Sequence, residues 1–216
     1  MLPIGLLVME TITMRRLLLP IALASLAAPL LAQPMPIPGT ADVTRVQAGT
    51  YKVDSAHTQV NWKLNHLGFS HFSGSFADAT GTLVLDPRRP NATRLSITIP
   101  IDRVVTTSGA LDTHLKNADF FDAAKYPTAT FVSTRVQATG PRARIAGNLT
   151  LHGVTRPVVL DARFVGAGNN PRGNKALNIG FEATTRVSRS AFGMSYGVPA
   201  VGDAVDLQIN AAFEKQ

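Results

Sequence analysis

The chain of 216 residues has no cysteine and few charged residues. The lack of cysteine excludes disulfides, thiolate metal sites, a cysteine nucleophile and a lipid-modified N-terminal cysteine. Charged residues make up 16% of the chain, whereas about 25% is usual in globular domains. The 45% hydrophobic content supports a sizeable core, and the length suits one domain with additional segments.

Long runs of basic charge are also missing. The formal net charge is +7, of which Arg15, Arg16 and Glu10 contribute +1, so the remainder of the chain carries +6. The basic residues are scattered and never reach a run of five, so no nucleic-acid partner is predicted. The scattered basic residues are typical of a solvated basic surface. They would also allow transient contact with an anionic membrane surface.

The first 32 residues have the pattern of a secretory signal peptide. Arg15 and Arg16 precede an apolar run over residues 17–32, which ends in Ala32 before Gln33. A basic start, a short apolar stretch and a small residue at the cleavage point are typical of such peptides. The run is short and interrupted by proline, so a membrane span is not predicted. Residues 1–13 precede the basic pair and are not needed for this signal.

A proline-rich segment follows the signal peptide. Pro34, Pro36, Pro38 and Gly39 lie within residues 33–49 and predict a flexible, partly extended linker. The folded domain is therefore assigned to residues 50–216.

Alternating residues over 94–102 are typical of the rest of the domain. Apolar Leu95, Ile97, Ile99 and Ile101 alternate with polar residues and a proline, which gives a strand one apolar and one polar face. Similar patterns predict strands at residues 60–65, 69–76, 80–86, 93–102, 128–138, 143–152, 156–166, 176–187 and 204–214. The glycine-rich segment 166–173 is predicted as a hairpin loop. A sheet of so many strands, with few helices to cover it, closes as a barrel or packs as a sandwich.

Between residues 106 and 127 the apolar residues no longer alternate with a period of two. Leu111, Leu115 and Ala118 are spaced for one face of a short helix, and Thr107 or Ser108 suits its N-cap. An aromatic cluster around Pro127 is predicted to form a core plug beneath the helix, with some members lining a ligand tunnel: Phe120, Phe121, Tyr126 and Phe131.

Asp112, His114 and Arg189 are candidate residues at one rim of a barrel. An arginine fork and a histidine suit a phosphate or another polar head group. Alternatively, Arg189 pairs with Asp112 and locks the helix to the sheet. This structural role is favoured, because a shielded arginine usually has a carboxylate partner. A metal site is not predicted, since the five histidines lack the spacing of ligand pairs.

Several sequence blocks, in the same order along the chain, resemble those of a known family. They are Tyr51-Lys-Val-Asp-Ser-Ala-His57, Asp112-Thr-His-Leu-Lys-Asn-Ala-Asp-Phe-Phe-Asp122 with Tyr126-Pro127 and Phe131, Gly147-Asn-Leu-Thr-Leu-His-Gly-Val-Thr-Arg-Pro157, Arg189-Ser-Ala-Phe-Gly193 and Val201-Gly-Asp203. Over residues 51–214 the chain thereby resembles the YceI-like polyisoprenoid-binding proteins, which have lipocalin-like barrels.

The resemblance implies an all-β fold: an extended eight-stranded antiparallel lipocalin-like barrel with one or two short helices between the central strands. It also implies a periplasmic location, no catalysis and no cofactor other than a bound lipid. That ligand would be a polyisoprenoid, a quinone or a similar long-chain amphiphile, held for transport, storage or sequestration.

The apolar strand faces predict which side chains line such a lipid site. The predicted lining is Trp62, Leu64, Leu95, Ile97, Ile99, Leu149, Leu151, Leu160, Phe164, Ile179, Phe181, Leu207 and Ile209. Asp112, His114 and Arg189 would contact the head group at the rim.

Two other functions stay open on the residues alone. In the first, Asp112 and His114 form the acid–base pair of an enzyme that acts on a lipid-like or small substrate. In the second, large side chains fill the barrel, which then serves as a stress or interaction protein. Homodimer formation stays open as well.

Overall fold

The computed structural model describes residues 36–172 and 174–216. The predicted signal peptide, residues 1–32, lies outside the described residues. Within the described part, the chain forms eleven strands, one α-helix and four short 3-10 helices. The strands are β1 (Gly49–Val53), β2 (Gln59–His66), β3 (Ser70–Phe76), β4 (Thr80–Leu85), β5 (Arg94–Pro100), β6 (Val104–Val105), β7 (Thr128–Thr139), β8 (Arg142–Leu151), β9 (Val154–Asn169), β10 (Leu177–Ser188) and β11 (Ala204–Lys215). The α-helix is α1 (Gly109–Leu115), and the 3-10 helices are Val43–Arg45, Pro90–Ala92, Ile101–Arg103 and Ser190–Phe192.

Eight of the strands close into an antiparallel barrel. Their order is β1-β4-β5-β7-β8-β9-β10-β11, and β11 pairs back onto β1, with Tyr51 opposite Lys215. The prediction of an eight-stranded antiparallel barrel with a short helix between central strands is confirmed, and the sandwich is excluded.

The barrel is extended at one end because β11 has two neighbours on the same side. Its last residues pair with β1, whereas residues 206–210 pair with β2. Strands β2, β3 and β6 continue the sheet from there, and α1 follows β6 in the chain. This end of the barrel therefore has a wider wall than the other.

Two strands and one strand end differ from the sequence prediction. β1 and β6 were not predicted, because five and two residues are too few to show a clear alternation. The prediction of a hairpin loop at residues 166–173 is wrong at its start, since β9 continues to Asn169. Gly166 and Gly168 of this predicted loop lie in β9, where another part of the chain comes close to the strand.

That part is the N-terminal segment, residues 36–48. The Thr40 amide donates to Ala167 O at 3.1 Å, and the Ala167 amide donates to Thr40 O at 2.9 Å. A Cβ atom at Gly168 would overlap the Pro38 carbonyl. β8 begins at Arg142, opposite Arg163, so the segment covers a part of β9 that β8 does not reach. The described part of the predicted linker is thus attached to the barrel, and the predicted domain boundary stays a prediction.

Side chains fill the half of the barrel that contains β1. The Phe164 and Phe181 rings lie 5.7 Å apart, and Phe181 lies 6.1 Å from Phe213, in edge-to-face contacts. Tyr51 and Ile179 are fully buried among them. A second apolar cluster, around Trp62, occupies the half next to α1.

Candidate functional site

Helix α1 covers the wider end of the barrel. Ser108 is its N-cap, and its hydroxyl accepts a hydrogen bond from the Leu111 amide at 3.4 Å, as predicted. Leu115 is buried against the second cluster. Asp112 accepts from the Thr106 amide at 2.7 Å and from the Thr106 hydroxyl at 2.6 Å, which fixes the connection between β6 and the helix.

A cavity of about 110 Å³ lies beneath this helix. The surface of this cavity is apolar, although Arg189 is among the residues around it. The lining residues are Val60, Trp62, Leu64, Phe76, Ile99, Ile101, Leu115, Phe120, Phe121, Ala129, Leu149, Leu151, Val187, Arg189, Met194, Val205 and Leu207. The interior is therefore open at one end and packed at the other.

The predicted lipid lining divides between these two halves. Six of the thirteen residues line the cavity: Trp62, Leu64, Ile99, Leu149, Leu151 and Leu207. The other seven belong to or pack against the cluster that contains the aromatic rings: Leu95, Ile97, Leu160, Phe164, Ile179, Phe181 and Ile209. Ile209 also packs against the cluster around Trp62. The lining of a lipid site by these seven residues stays a prediction.

Several cavity residues were missed by the sequence analysis. Val60 and Val205 continue the alternation of Trp62 and Leu207, so the strand pattern contained a signal for them. Phe76 lies opposite Val60 on the neighbouring strand β3. Phe120 and Phe121 line the cavity, in agreement with the predicted role of some of the aromatic cluster. The other residues not predicted as lining are Ile101, Leu115, Ala129, Val187 and Met194.

Arg189 is the charged residue of the cavity wall and is 5% exposed. Its Nε donates to Gly202 O at 3.0 Å, its Nη1 to Met194 O at 2.9 Å and its Nη2 to Val201 O at 2.9 Å. Its Cζ lies 6.0 Å from the centre of the Phe120 ring. The predicted Arg189–Asp112 pair is wrong. The guanidinium group donates its hydrogen bonds to backbone carbonyls, and the Asp112 carboxylate accepts hydrogen bonds from Thr106.

The electrostatics of this region depend on Arg189 and Asp203. Burial lowers the pKa of Arg189, and the nearby Asp203 charge partly opposes this. Hydrogen bonds from the Ser188 hydroxyl and the Ser190 amide lower the pKa of Asp203. An arginine stays charged at neutral pH, so a cation lies in the wall of an apolar cavity with its counter-charge in the adjoining turn.

His114 lies at the rim and does not pair with Asp112. Its Nε2 lies 2.9 Å from Asp119 Oδ2. Its ring makes edge contacts with Phe120 and Tyr196, at 5.0 and 5.4 Å between ring centres. Tyr196 is half exposed, so these three rings connect the cavity lining to the surface.

A second, wider groove lies over β2, β3, β10 and β11. It has a volume of about 930 Å³, and its lining includes Ser73, Ser75, Thr184, Arg186 and Asp206. The groove is open, its walls mix polar and apolar side chains, and Arg186 forms an exposed ion pair with Asp206. The cavity beneath α1 has an apolar surface and is therefore taken as the candidate lipid site.

Two further observations concern residues 36–172 and 174–216. In this range, His, Asp and Glu side chains do not gather in groups of three or more that could hold a metal ion. The helices described there are not long and apolar enough to cross a bilayer.

An eight-stranded antiparallel barrel, extended at one end around a small apolar cavity, defines the class of this protein. A family model for the YceI-like domain matches residues 51–213. The chain belongs to the YceI-like domain family.

Comparisons with individual proteins agree with this assignment. The chain is 40% identical to Protein YceI of Escherichia coli O157:H7 over 171 residues, which cover 78% of this chain and 88% of that protein. The crystal structure of Burkholderia cenocepacia BcnA matches with a TM-score of 0.65 at 22% identity, over 74% of this chain and 98% of that one. A polyisoprenoid-binding domain from Saccharophagus degradans, implicated in plant cell wall breakdown, matches with a TM-score of 0.58 at 14% identity, over 79% of this chain and 100% of that one. The last two likenesses establish the fold alone.

Proposed function

We propose that this protein binds a long-chain amphiphile, such as a polyisoprenoid or a quinone, in the cavity beneath α1. The observation that carries the proposal is the cavity itself, whose surface is apolar. The name of the polyisoprenoid-binding domain with the same fold supports the choice of ligand. Asp112 and His114 are bonded to Thr106 and Asp119, which favours binding over acid–base catalysis.

The size of the cavity implies that its cover moves when the ligand enters. At about 110 Å³, it is smaller than the roughly 300–1,000 Å³ of ordinary ligand pockets. A long chain needs more room, and we propose that the segment 106–127, which includes α1, moves outward to provide it. Each buried CH₂ group then contributes about 0.8 kcal/mol, so a dozen buried carbons offset the cost of association and opening.

Arg189 and the rim give the ligand an orientation. Arginine has five N–H donors, and three nitrogen atoms of Arg189 each donate to one carbonyl. We propose that the remaining N–H groups donate to a phosphate or carbonyl oxygen of the head group once the cover has opened. His114 and Tyr196 lie where a polar head would leave the cavity, so we place the head group at this rim and the chain beneath α1.

We further propose that the protein works in the periplasm, where it transports, stores or sequesters its lipid. Residues 1–32 have the pattern of a signal peptide. Fusing these residues to a reporter and fractionating the cells tests this location. Export of the fusion, and retention of a control in which Arg15 and Arg16 are replaced by glutamate, is expected. Equal distribution of the two fusions would contradict the proposal.

Native mass spectrometry of the gently purified protein tests lipid binding directly. We expect an additional mass of one lipid per chain, identified after solvent extraction, and uptake of added isoprenoid by the delipidated protein. A protein that carries no lipid and takes up no isoprenoid would contradict the proposed function.

A further inference from the structure

The turn between β2 and β3 carries two apolar side chains that are exposed to solvent. The turn consists of residues 67–69, in which Phe69 is 89% exposed and Leu67 is exposed as well. The Asn65 side chain accepts a hydrogen bond from the Gly68 amide at 2.8 Å, and the Phe69 amide donates to His66 O at 3.1 Å. Both side chains therefore belong to an ordered hairpin turn.

A second exposed apolar turn lies beside the first. It consists of residues 196–200, and its Tyr196 and Val198 side chains are exposed. The Leu67 amide donates to Ala200 O at 2.9 Å, which joins the two turns. Single exposed apolar residues are common on protein surfaces, whereas a group of them marks a contact site. We call this group the apolar tip, and its members are Leu67, Phe69, Tyr196 and Val198.

The apolar tip adjoins the rim of the cavity. The Tyr196 ring lies 5.3 Å from the Phe120 ring, and Phe120 lines the cavity. Leu64, on the strand that leads into the first turn, lines the cavity too. The tip is therefore continuous with the wall of the proposed lipid site, at the rim where we place the head group.

The charge of the segments that form the tip suits a lipid surface. Residues 59–76 and 189–202 contain no Asp or Glu, and Lys63 on β2 is exposed. The Asp119 carboxylate is bonded to His114, whose ring contacts Tyr196. Apolar and aromatic side chains without acidic neighbours enter the interface of a bilayer that contains anionic lipids, because burial of the apolar groups and attraction to the head groups act together.

We propose that the apolar tip inserts into the surface of a lipid bilayer and turns the rim of the cavity toward the membrane. This inference rests on the proposed function and adds to it the surface across which a lipid enters or leaves. Aromatic side chains are favoured at the interface between a membrane and water, so Phe69 and Tyr196 are the principal contacts.

Vesicle flotation tests this contact with two matched substitutions. The vesicles contain phosphatidylglycerol in an excess of phosphatidylcholine, and the fraction of protein that floats with them is measured. Phe69→Ser removes a ring of the tip. Ile37→Ser is the control, because Ile37 is 86% exposed and lies outside the tip, in the N-terminal segment that contacts β9.

We expect the wild type and Ile37→Ser to bind the vesicles equally well. Phe69→Ser should bind at least about tenfold more weakly, because the apolar area of the ring is no longer transferred from water into the bilayer. Both substitutions change exposed side chains, so circular dichroism and thermal unfolding should be the same for all three proteins.

Tryptophan fluorescence gives a second measurement on the same residue. In Phe69→Trp the emission should shift to shorter wavelength when vesicles are added, because the new indole leaves water. In the control Ile37→Trp the emission should not shift. The single native tryptophan, Trp62, is buried and contributes the same background to both variants.

The outcomes separate this inference from the proposed function. Absence of vesicle binding by the wild type, or equal binding by Phe69→Ser, overturns the inference. Self-association that Phe69→Ser abolishes, without vesicle binding, also overturns it and identifies a second copy of this chain as the partner of the tip. Native mass spectrometry tests lipid uptake without vesicles, so the proposed function stands in each of these cases if the cavity still takes up isoprenoid.

Discussion

Arg189 and Asp203 hold the turn that closes one side of the cavity. The guanidinium group binds three carbonyls of residues 194–202, and the Asp203 carboxylate binds the Ser188 and Ser190 groups that flank the arginine. Met194, which this network positions, is buried and lines the cavity. At the scale of single residues, Arg189 was predicted from the sequence as a head-group contact. In the structure its hydrogen bonds go to backbone carbonyls and stabilise the turn.

Arg189→Lys is expected to lower the free energy of unfolding by about 2–3 kcal/mol. A lysine cannot reach three carbonyls with one planar fork, so buried acceptors lose their donors. Urea denaturation of both proteins measures the difference. The control Arg186→Lys changes an exposed ion pair and should cost less than about 0.5 kcal/mol. Equal losses in the two variants would show that the carbonyl contacts contribute little.

The carboxylate of Asp203 should make stability depend on acid pH. Its pKa in the folded protein is lowered relative to the unfolded value of about 3.9. Its stabilisation is therefore complete above about pH 4 and is lost as the pH falls through the lowered folded value. We expect the stability difference between the wild type and Asp203→Asn to be the same at pH 7 and pH 5 and smaller at pH 3. A difference that is unchanged at pH 3 would argue against this role.

At the scale of elements, the glycines of β9 allow another segment to approach the strand closely and do not form a loop. Gly166 and Gly168 lie in β9, where the Pro38 carbonyl excludes a side chain at residue 168 and the Thr40 backbone leaves little room at residue 166. The same glycines indicate a hairpin loop when only the sequence is considered. The contact with the N-terminal segment involves residues more than 120 positions apart, so local pattern alone does not reveal it.

Gly168→Ala is expected to detach the N-terminal segment from β9. The added Cβ overlaps the Pro38 carbonyl, so the hydrogen bonds between Thr40 and Ala167 should open more often. Hydrogen exchange of the Thr40 amide measures this, and we expect at least a roughly tenfold faster rate. In the control Gly180→Ala, the new Cβ would come no closer than 3.8 Å to Val165 Cβ. Slow exchange in both variants would mean that the strand edge can accommodate alanine.

At the scale of the described part of the molecule, the two halves of the barrel are built differently. Aromatic rings pack together in the half around Tyr51. The other half has a wider wall, a short helix as its cover and the apolar cavity. The proposed ligand site is therefore separate from the main core.

Filling the cavity should prevent lipid uptake while the barrel stays folded. Ala129 is buried on β7 and lines the cavity, so Ala129→Phe places a ring in the free space. We expect at least about a tenfold loss of isoprenoid affinity, since the ring excludes several CH₂ groups of the ligand. Val132→Phe adds a ring on the exposed face of the same strand and should bind normally. Normal binding by Ala129→Phe, with circular dichroism confirming the fold, would place the ligand elsewhere.

The alternation of apolar and polar residues by itself determined nine of the strands and their inward faces, because a side-chain period of two gives a strand one apolar face to bury. It left a barrel and a sandwich open, and the family blocks added the closed barrel and its number of strands. Only the tertiary structure decided which inward residues line free space, because Phe164, Phe181 and Phe213 come from three different strands and fill one half together. It also decided the partners of Arg189, since hydrogen bonds to carbonyls of residues 194, 201 and 202 depend on the path of the backbone and not on residue type.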